Sequence, residues 1–179
     1  MEPLPRLGPR TILRRLALTD LERFQGYRTA AVGRYQGWSV VSDAEAAGFL
    51  TEMRDAPFCI PGVWIQIGIA ERSTGRLIGD IGICVLQAET LHAEIGFTLS
   101  DAFQGQGLAT EAVREAISLL FAYTDIAHVV GITDTRNIPS MRLLERLGMR
   151  LTETVETVFR GEPCSEHFYR LDRPAEPTT

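Results

Sequence analysis

Gln104-Gly105-Gln106-Gly107-Leu108-Ala109 is the stretch of this chain whose residue types suit the holding of an anion. Its two glycines permit positive φ and let another group approach the backbone closely. A helical pattern opens at Leu108, so the unpaired N–H groups of its first turn point back into the glycine loop, with the positive end of the helix dipole behind them. A phosphate suits such a terminus. Neither common phosphate motif fits: no lysine follows Gly107 as a P-loop requires, and a dinucleotide fingerprint needs a third glycine. A tight strand-to-helix turn that binds nothing therefore stands beside the anion-site reading. Ten residues upstream, Glu94 is a carboxylate that could act as a general base, directly or through water, if burial raises its pKa. It could equally orient an ammonium group or pair with an arginine. His92 is a second candidate base. Downstream, Asn137 can cap a helix whose first turn carries the hydroxyl of Ser140.

The elements that must position these groups follow from periodicity. Leu91, Ala93, Ile95, Phe97 and Leu99 alternate with His92, Glu94, Gly96 and Thr98, a strand with Glu94 on its non-core face. After the glycine turn, Ala109, Ala112, Val113, Ala116, Ile117 and Leu120 recur at helical spacing. Before this centre the pattern predicts a strand over 11–18, a helix from 19 to about 32, and a break over 33–41. A second helix opens at Ser42-Asp43-Ala44-Glu45 and ends before Pro57. Strands over 63–70 and 77–86 are joined by a polar hairpin turn at 71–76. After the centre, the apolar run 127–133 reads as a strand buried on both faces and reached by a helical crossover. A helix follows from Asn137 to Gly148, and a hairpin of strands 150–159 and 164–171 turns around Gly161-Glu162-Pro163. The segments 1–9 and 173–179 read as flexible termini flanking a single domain over 10–172.

Composition narrows the function classes. The chain has 179 residues, 45% of them hydrophobic and 23% charged, which is enough for one well-buried domain. A net charge of −5 and the absence of a basic cluster interleaved with aromatics argue against nucleic acid as a partner and mildly favour cationic substrates. All 18 basic residues are arginine, so no step can use a lysine. Cys59, Cys84 and Cys164 are scattered, as are His92, His128 and His167, which suggests neither a disulfide framework nor a metal site. MEPLPRLGPR lacks the apolar run of a signal peptide, and no uncharged stretch is long enough to span a membrane. A cytoplasmic protein without membrane partners is expected.

With the order β-α-α-β-β-β-loop-α-β-α-β-β, Gln104-x-x-Gly107-x-Ala109 resembles the acetyl-CoA pyrophosphate motif of the GNAT N-acetyltransferase superfamily. Glu94-Ile95-Gly96-Phe97, Ala109-Thr110-Glu111-Ala112, and Asn137-x-x-Ser140 with Leu144-Glu145-Arg146-Leu147-Gly148-Met149 resemble its branch containing the ribosomal-protein N-terminal acetyltransferases RimJ and RimL. Met149 replaces the usual Phe, a change in packing only. The resemblance spans residues 10–172 and implies an α/β (α+β) fold: a mixed, mostly antiparallel twisted sheet of about seven strands with four helices, its central strands splayed to form the acetyl-CoA cleft. It implies that backbone N–H groups of Gln104, Gly105, Gln106, Gly107, Leu108 and Ala109 receive pyrophosphate, that the backbone near Phe97, Thr98 and Leu99 pairs with pantetheine and meets the oxyanion, and that Asn137 contacts the pantetheine arm. The implied catalysts are Glu94 as base and Ser140 as proton donor to the leaving thiolate; Leu144 stands where many members place a tyrosine for that task. The implied reaction is acetyl transfer from acetyl-CoA, with no metal, to a primary amine such as a peptide N-terminus or a small amine, in a ternary complex. A non-catalytic acyl-CoA sensor is the alternative, and a homodimer is left open. Acceptor contacts would come from the segment 19–56, where Tyr35 and Trp38 lie, and from the hairpin turn near Arg160 to Glu166.

Overall fold

Long alternating strands pack here into one sheet that a helical pair covers on each side. The computed structural model describes residues 3–175. Its strands are β1 (Arg6–Leu7), β2 (Thr11–Arg15), β3 (Trp64–Glu71), β4 (Leu77–Gln87), β5 (Leu91–Leu99), β6 (His128–Asp134), β7 (Arg150–Phe159) and β8 (Glu162–Asp172), and its helices are α1 (Leu21–Tyr27), α2 (Asp43–Asp55), α3 (Leu108–Tyr123) and α4 (Ile138–Arg146). The sheet order is β1-β2-β3-β4-β5-β6-β8-β7, and every neighbouring pair is antiparallel except β5 with β6. The right-handed crossover expected between parallel neighbours is made through α3.

Register divides the sheet into two faces. Ile67, Ile81 and Phe97 stand side by side, as do Ile65, Ile83 and Ile95. They form the main core with the buried stripes Ala112, Val113, Ala116 and Leu120 of α3 and Leu143 and Leu144 of α4. A fully buried aliphatic side chain of this kind contributes about 1.5–3 kcal/mol. The opposite face carries Gln66, Asp80, Gly82, Glu94, Gly96 and Thr98, and is partly covered by α1 and α2 through a second cluster of Phe24, Tyr27, Ala46, Leu50 and Met53. Asp80 is fully buried and collects three donors: the Tyr27 hydroxyl, Gln66 Nε2 at 2.5 Å and Arg28 Nη2 at 3.3 Å. The Arg28 guanidinium lies 4.1 Å from the Phe24 ring centroid and 4.7 Å from that of Trp38. Burial, then the Asp80 carboxylate, pushes the Tyr27 phenol well above its ordinary range.

The expected sheet of about seven strands is found with an eighth at its edge, since Arg6 and Leu7 pair with Leu13 and Ile12 while buried Leu4 anchors the entry; a two-residue strand is too short to show alternation. Three other sequence expectations are corrected. The strand expected over 11–18 ends at Arg15, because Asp20 in the 3₁₀ turn Leu18–Asp20 accepts from Ala17 N (2.9 Å) and from both terminal nitrogens of Arg14. The helix expected to reach about residue 32 stops at Tyr27, where Arg28 leaves helical geometry as both side chains turn toward Asp80; a separate 3₁₀ turn covers Val32–Tyr35. The last hairpin turns on Arg160-Gly161, both at positive φ, the geometry of a two-residue hairpin, and Pro163 lies within β8. At the far end, Arg173 is tied down through bonds to the carbonyls of Phe121 (2.6 Å), Ile126 (2.8 Å) and Thr124. Residues 1–2 and 176–179 of the expected flexible termini lie outside the described residues.

Candidate active site

The parallel pair comes apart in the middle of the sheet. β5 and β6 are paired from His92↔His128 to Ile95↔Gly131, after which β5 runs on to Leu99 and β6 to Asp134 without pairing. At the fork α4 presses on Gly131, where an added Cβ would stand 2.8 Å from Leu144 Cδ2. Along the freed edge of β5, the Phe97 carbonyl accepts from Gln36 Nε2 at 3.2 Å and the Leu99 carbonyl from Gln104 Nε2 at 2.9 Å. In an antiparallel ladder a residue's N–H and C=O face the same neighbour, so the N–H groups of Phe97 and Leu99 also face the gap. Thr98 is buried, and its Oγ1 accepts from Trp38 Nε1 at 3.3 Å.

The glycine turn lies at the mouth of that gap. Gly105 and Gly107 both have positive φ, and Gly107 is the N-cap of α3 without a side chain to offer the first-turn N–H groups. The nearest acid does not fill the role: Glu111 accepts from Arg10 N (2.7 Å), Thr11 N (2.8 Å), Thr11 Oγ1 (2.9 Å) and Arg10 Nε (3.0 Å). Burial raises the Glu111 pKa, but these bonds outweigh it and hold the carboxyl below its ordinary value. The start of α3 is thereby fastened to β2 with its amide end open. Arg10, Arg114 and Arg146 border a rim opening of about 460 Å³ beside Gly105 and Gly107. Positive charge and free N–H groups converge there, as an anion requires.

A cleft of about 630 Å³ joins these parts. Phe97, Thr98, Leu99, Gln104, Gly105, Gly107, Leu108, Ala109, Asn137 and Ser140 all line it. Gln106 does not: its side chain is exposed and donates to Ala102 O at 3.1 Å, while its carbonyl accepts from Arg10 Nη1 at 3.0 Å. Asn137 caps α4, its Oδ1 accepting from Ser140 N at 3.4 Å, with Pro139 in the first turn. The Ser140 hydroxyl is half-buried on the cleft wall and makes no hydrogen bond among the described residues.

Glu94 lies outside that lining, three residues back along β5 and on the face opposite α3. It is half-buried. Loss of solvent raises its pKa, the charge on His92 opposes the shift, and the Glu166 carboxylate adds to it. His92 stacks on His128 with ring centroids 5.0 Å apart. The His128 pKa is lowered by burial first and by Arg170 and His92 after that. Tyr35 lines the cleft, whereas Trp38 lies outside the lining and reaches it only through its bond to Thr98. The tip of the β7–β8 hairpin reaches across to this loop, Arg160 Nη2 donating to Trp38 O (2.8 Å) and Gln36 O (3.2 Å).

Sequence reading named Arg160 only as the start of the last hairpin turn and Arg146 only within a motif, gave neither a role of its own, and did not name Gln36 or Arg142. Arg142 and Arg146 carry a readable signal, one helical turn apart and following Ser140 on the same helix. Gln36 and Arg160 carry none, since each meets its partners only through tertiary folding.

An α/β sheet opened between a parallel pair, with an uncapped helix terminus at the opening, offers a cleft whose mouth suits an anion such as a phosphate. Comparison with known proteins gives the class. Residues 10–150 match the family model described as Acetyltransferase (GNAT) domain. The chain is 27% identical over 170 residues to the uncharacterized N-acetyltransferase YoaA of Bacillus subtilis, covering 93% of this chain and 96% of that one. Among solved structures, a GNAT-family acetyltransferase from Bacillus anthracis has a TM-score of 0.82 at 19% identity, covering 94% of this chain and 98% of its own. RimL ribosomal-protein acetyltransferase in complex with coenzyme A has a TM-score of 0.78 at 16% identity, covering 93% and 96%. The chain belongs to the GNAT acetyltransferases and is an acyltransferase enzyme with the fold of that family. No helix among the described residues is long and apolar enough to cross a membrane.

Proposed function

We propose that this enzyme moves an acetyl group from acetyl-CoA to a primary amine by direct attack in a ternary complex. The carrying observation is the juxtaposition of two features of β5: freed backbone groups at Phe97 and Leu99, continuous with the uncapped start of α3, and a half-buried carboxylate with a raised pKa at Glu94. The residues suit acetyl-CoA. First-turn N–H groups of α3, with Arg10, Arg142 and Arg146 around them, would hold the phosphates. Pantetheine amides would pair along Phe97 to Leu99, with Gln36 giving up the Phe97 carbonyl and Asn137 beside the arm.

An α-amine has a pKa of about 8 and a lysine amine about 10.4, so at neutral pH a proton must leave before attack. Glu94 would accept it, directly or through water, and its raised pKa brings it nearer the working pH of a base. The amine nitrogen then forms its bond to the acetyl carbon while the carbonyl oxygen gains charge. The Leu99 N–H, fixed in the strand and facing the gap, would meet that oxyanion with little reorganisation. On collapse the C–S bond breaks, the attacking nitrogen gives up its extra proton, and the thiolate takes a proton relayed through the free Ser140 hydroxyl. The thiol's pKa is near the ~8.5 of a cysteine, so a weak donor suffices.

The test follows thiol release over a panel of peptide N-termini and small amines, with Glu94→Gln and Ser140→Ala alongside the parent. Turnover on an amine, lowered in both variants, is expected. Parental kinetics in both would remove the two residues from the mechanism. Tight acetyl-CoA binding without turnover on any amine would make the domain a sensor.

A further inference from the structure

On the acceptor side of the sheet, adjacent strands place Trp64, Cys84, Glu94 and Val130 in one row and Gln66, Gly82 and Gly96 in the next. Two neighbouring glycines leave a patch of bare sheet beside the proposed base. The Trp64 ring and the Gln66 amide cover the first: an added Cβ on Gly82 would lie 3.2 Å from Gln66 Oε1, 3.3 Å from Trp64 Cζ3 and 3.4 Å from Trp64 Cε3. The second is open, with nothing within 4 Å of a Cβ built on Gly96. Trp64 keeps 46% of its surface exposed. On the other flank, Val130 pairs with Glu94 on one side and with Arg170 on the other, and Ile132 pairs with Phe168 on the same side of the sheet; Val130, Ile132 and Phe168 are half-buried, and the Glu166 carboxylate lies close enough to raise the Glu94 pKa. From the indole to Glu94 the floor is therefore bare sheet, and the charged groups Glu166 and Arg170 lie beyond Glu94 on β8.

Such a surface discriminates between amines. A polyamine laid from Glu94 toward Trp64 would set its further ammonium groups over bare sheet and the indole, exchanging full hydration for the ring face and the Gln66 side-chain carbonyl alone. A flat ring would lie on the glycine floor and against the indole, where aromatic pairs gain from contact beyond their buried area. The reach is adequate. Two strand spacings of about 4.8 Å separate the backbones of Trp64 and Glu94, so a ring carried on a short carbon linker spans from the indole to an amine at the carboxylate.

We infer that the acceptor is a primary amine bearing an aromatic ring near the nitrogen, either a free arylalkylamine or a peptide whose first residue is aromatic, bound with its ring over Gly96 against Trp64. This rests on the acetyltransferase reading of the same site and deepens it.

The experiment compares kcat/KM for phenethylamine, n-butylamine, spermidine, and tripeptides beginning with phenylalanine or serine, in the parent, Trp64→Ala and Gly96→Val. The aromatic amine should exceed butylamine and spermidine by about tenfold or more, the scale on which apolar contacts discriminate. Trp64→Ala should erase that margin with the KM for acetyl-CoA unchanged. Gly96→Val fills open space, so the fold should hold while aromatic amines are excluded. A larger gain for phenethylamine than for the phenylalanine peptide identifies a free amine, and the reverse identifies a peptide terminus. Equal rates for butylamine and phenethylamine, indifferent to Trp64→Ala, would overturn the inference and leave acetyl transfer standing. If no amine turns over, calorimetry of phenethylamine on the CoA-loaded protein decides separately: binding that Trp64→Ala abolishes supports this acceptor site although transfer fails, and absence of binding refutes it.

Discussion

The proposed donor and acceptor sides of β5 are built in different ways. On the donor side, Phe97 to Leu99, the glycine turn and the first turn of α3 follow one another within residues 97–109, and much of what they present is backbone. The acceptor side draws Trp64 from β3, Glu94 and Gly96 from β5, Trp38 from the loop after α1, and Arg160 from the last hairpin. Beneath it lies the buried group of Asp80, Tyr27, Arg28 and Gln66. A backbone site tolerates many side-chain changes provided its conformation survives, whereas one assembled from distant side chains depends on the packing that gathers them. Substitutions on the two sides should accordingly fail in different measurements.

The largest effect is expected beneath the acceptor side. Asp80→Ala leaves Arg28 buried without its carboxylate and should cost about 3–5 kcal/mol in denaturant unfolding. Retained stability would break the view that this side stands on a buried polar group.

Glu94→Gln comes next, lowering kcat/KM by about 100-fold or more, as loss of a general base does. A base works when ionised, so the parental rate should rise with pH through the raised pKa of Glu94, and the variant should lose that limb. Linkage gives an independent check. A carboxyl whose folded pKa exceeds its unfolded value of about 4.3 favours the folded state at low pH, and that contribution fades as pH rises through the folded value. At neutral pH the buried charge works against folding, so Glu94→Gln should be less active yet more stable by thermal unfolding.

On the donor side, Gly107→Val forces a β-branched residue to φ 78° at the mouth of the anion site. Strain of about 1–3 kcal/mol there should appear as a rise of about tenfold in the KM for acetyl-CoA, with the ranking of amines preserved. A changed ranking would show that the two sides are not separable. The smallest effect is expected where they touch. Gln36→Ala frees the Phe97 carbonyl from a hydrogen bond worth about 1 kcal/mol, so the KM for acetyl-CoA should fall by a fewfold. A rise would mean that Gln36 serves the bound donor.

The same contrast explains what could be read in advance. The order of the central elements, the cap at Asn137 and the glycine turn follow from local patterns, and the structure gathers those residues in one cleft with the exception of Gln106. The end of α1 at Tyr27 was not legible, because the residues beyond it suit a helix and only a carboxylate on β4 draws Tyr27 and Arg28 inward. β1 escaped notice because two residues carry no period. Glu94 was readable as a carboxylate on the non-core face of its strand, but its burial and the nearness of Glu166 belong to packing across β5, β6 and β8.

By itself the sequence determined the family, through Gln104-x-x-Gly107-x-Ala109 and Asn137-x-x-Ser140, and the local conformation of the proposed donor half, because backbone conformation at turns and helix starts is set by neighbouring residues. Tertiary structure alone decided where β5 and β6 part, which loop carbonyls Arg160 holds, and that Trp64 lies across Gly82 beside an open Gly96. Those facts depend on strand register and on contacts between residues far apart in the chain, and register is settled only when a whole face of the sheet is buried.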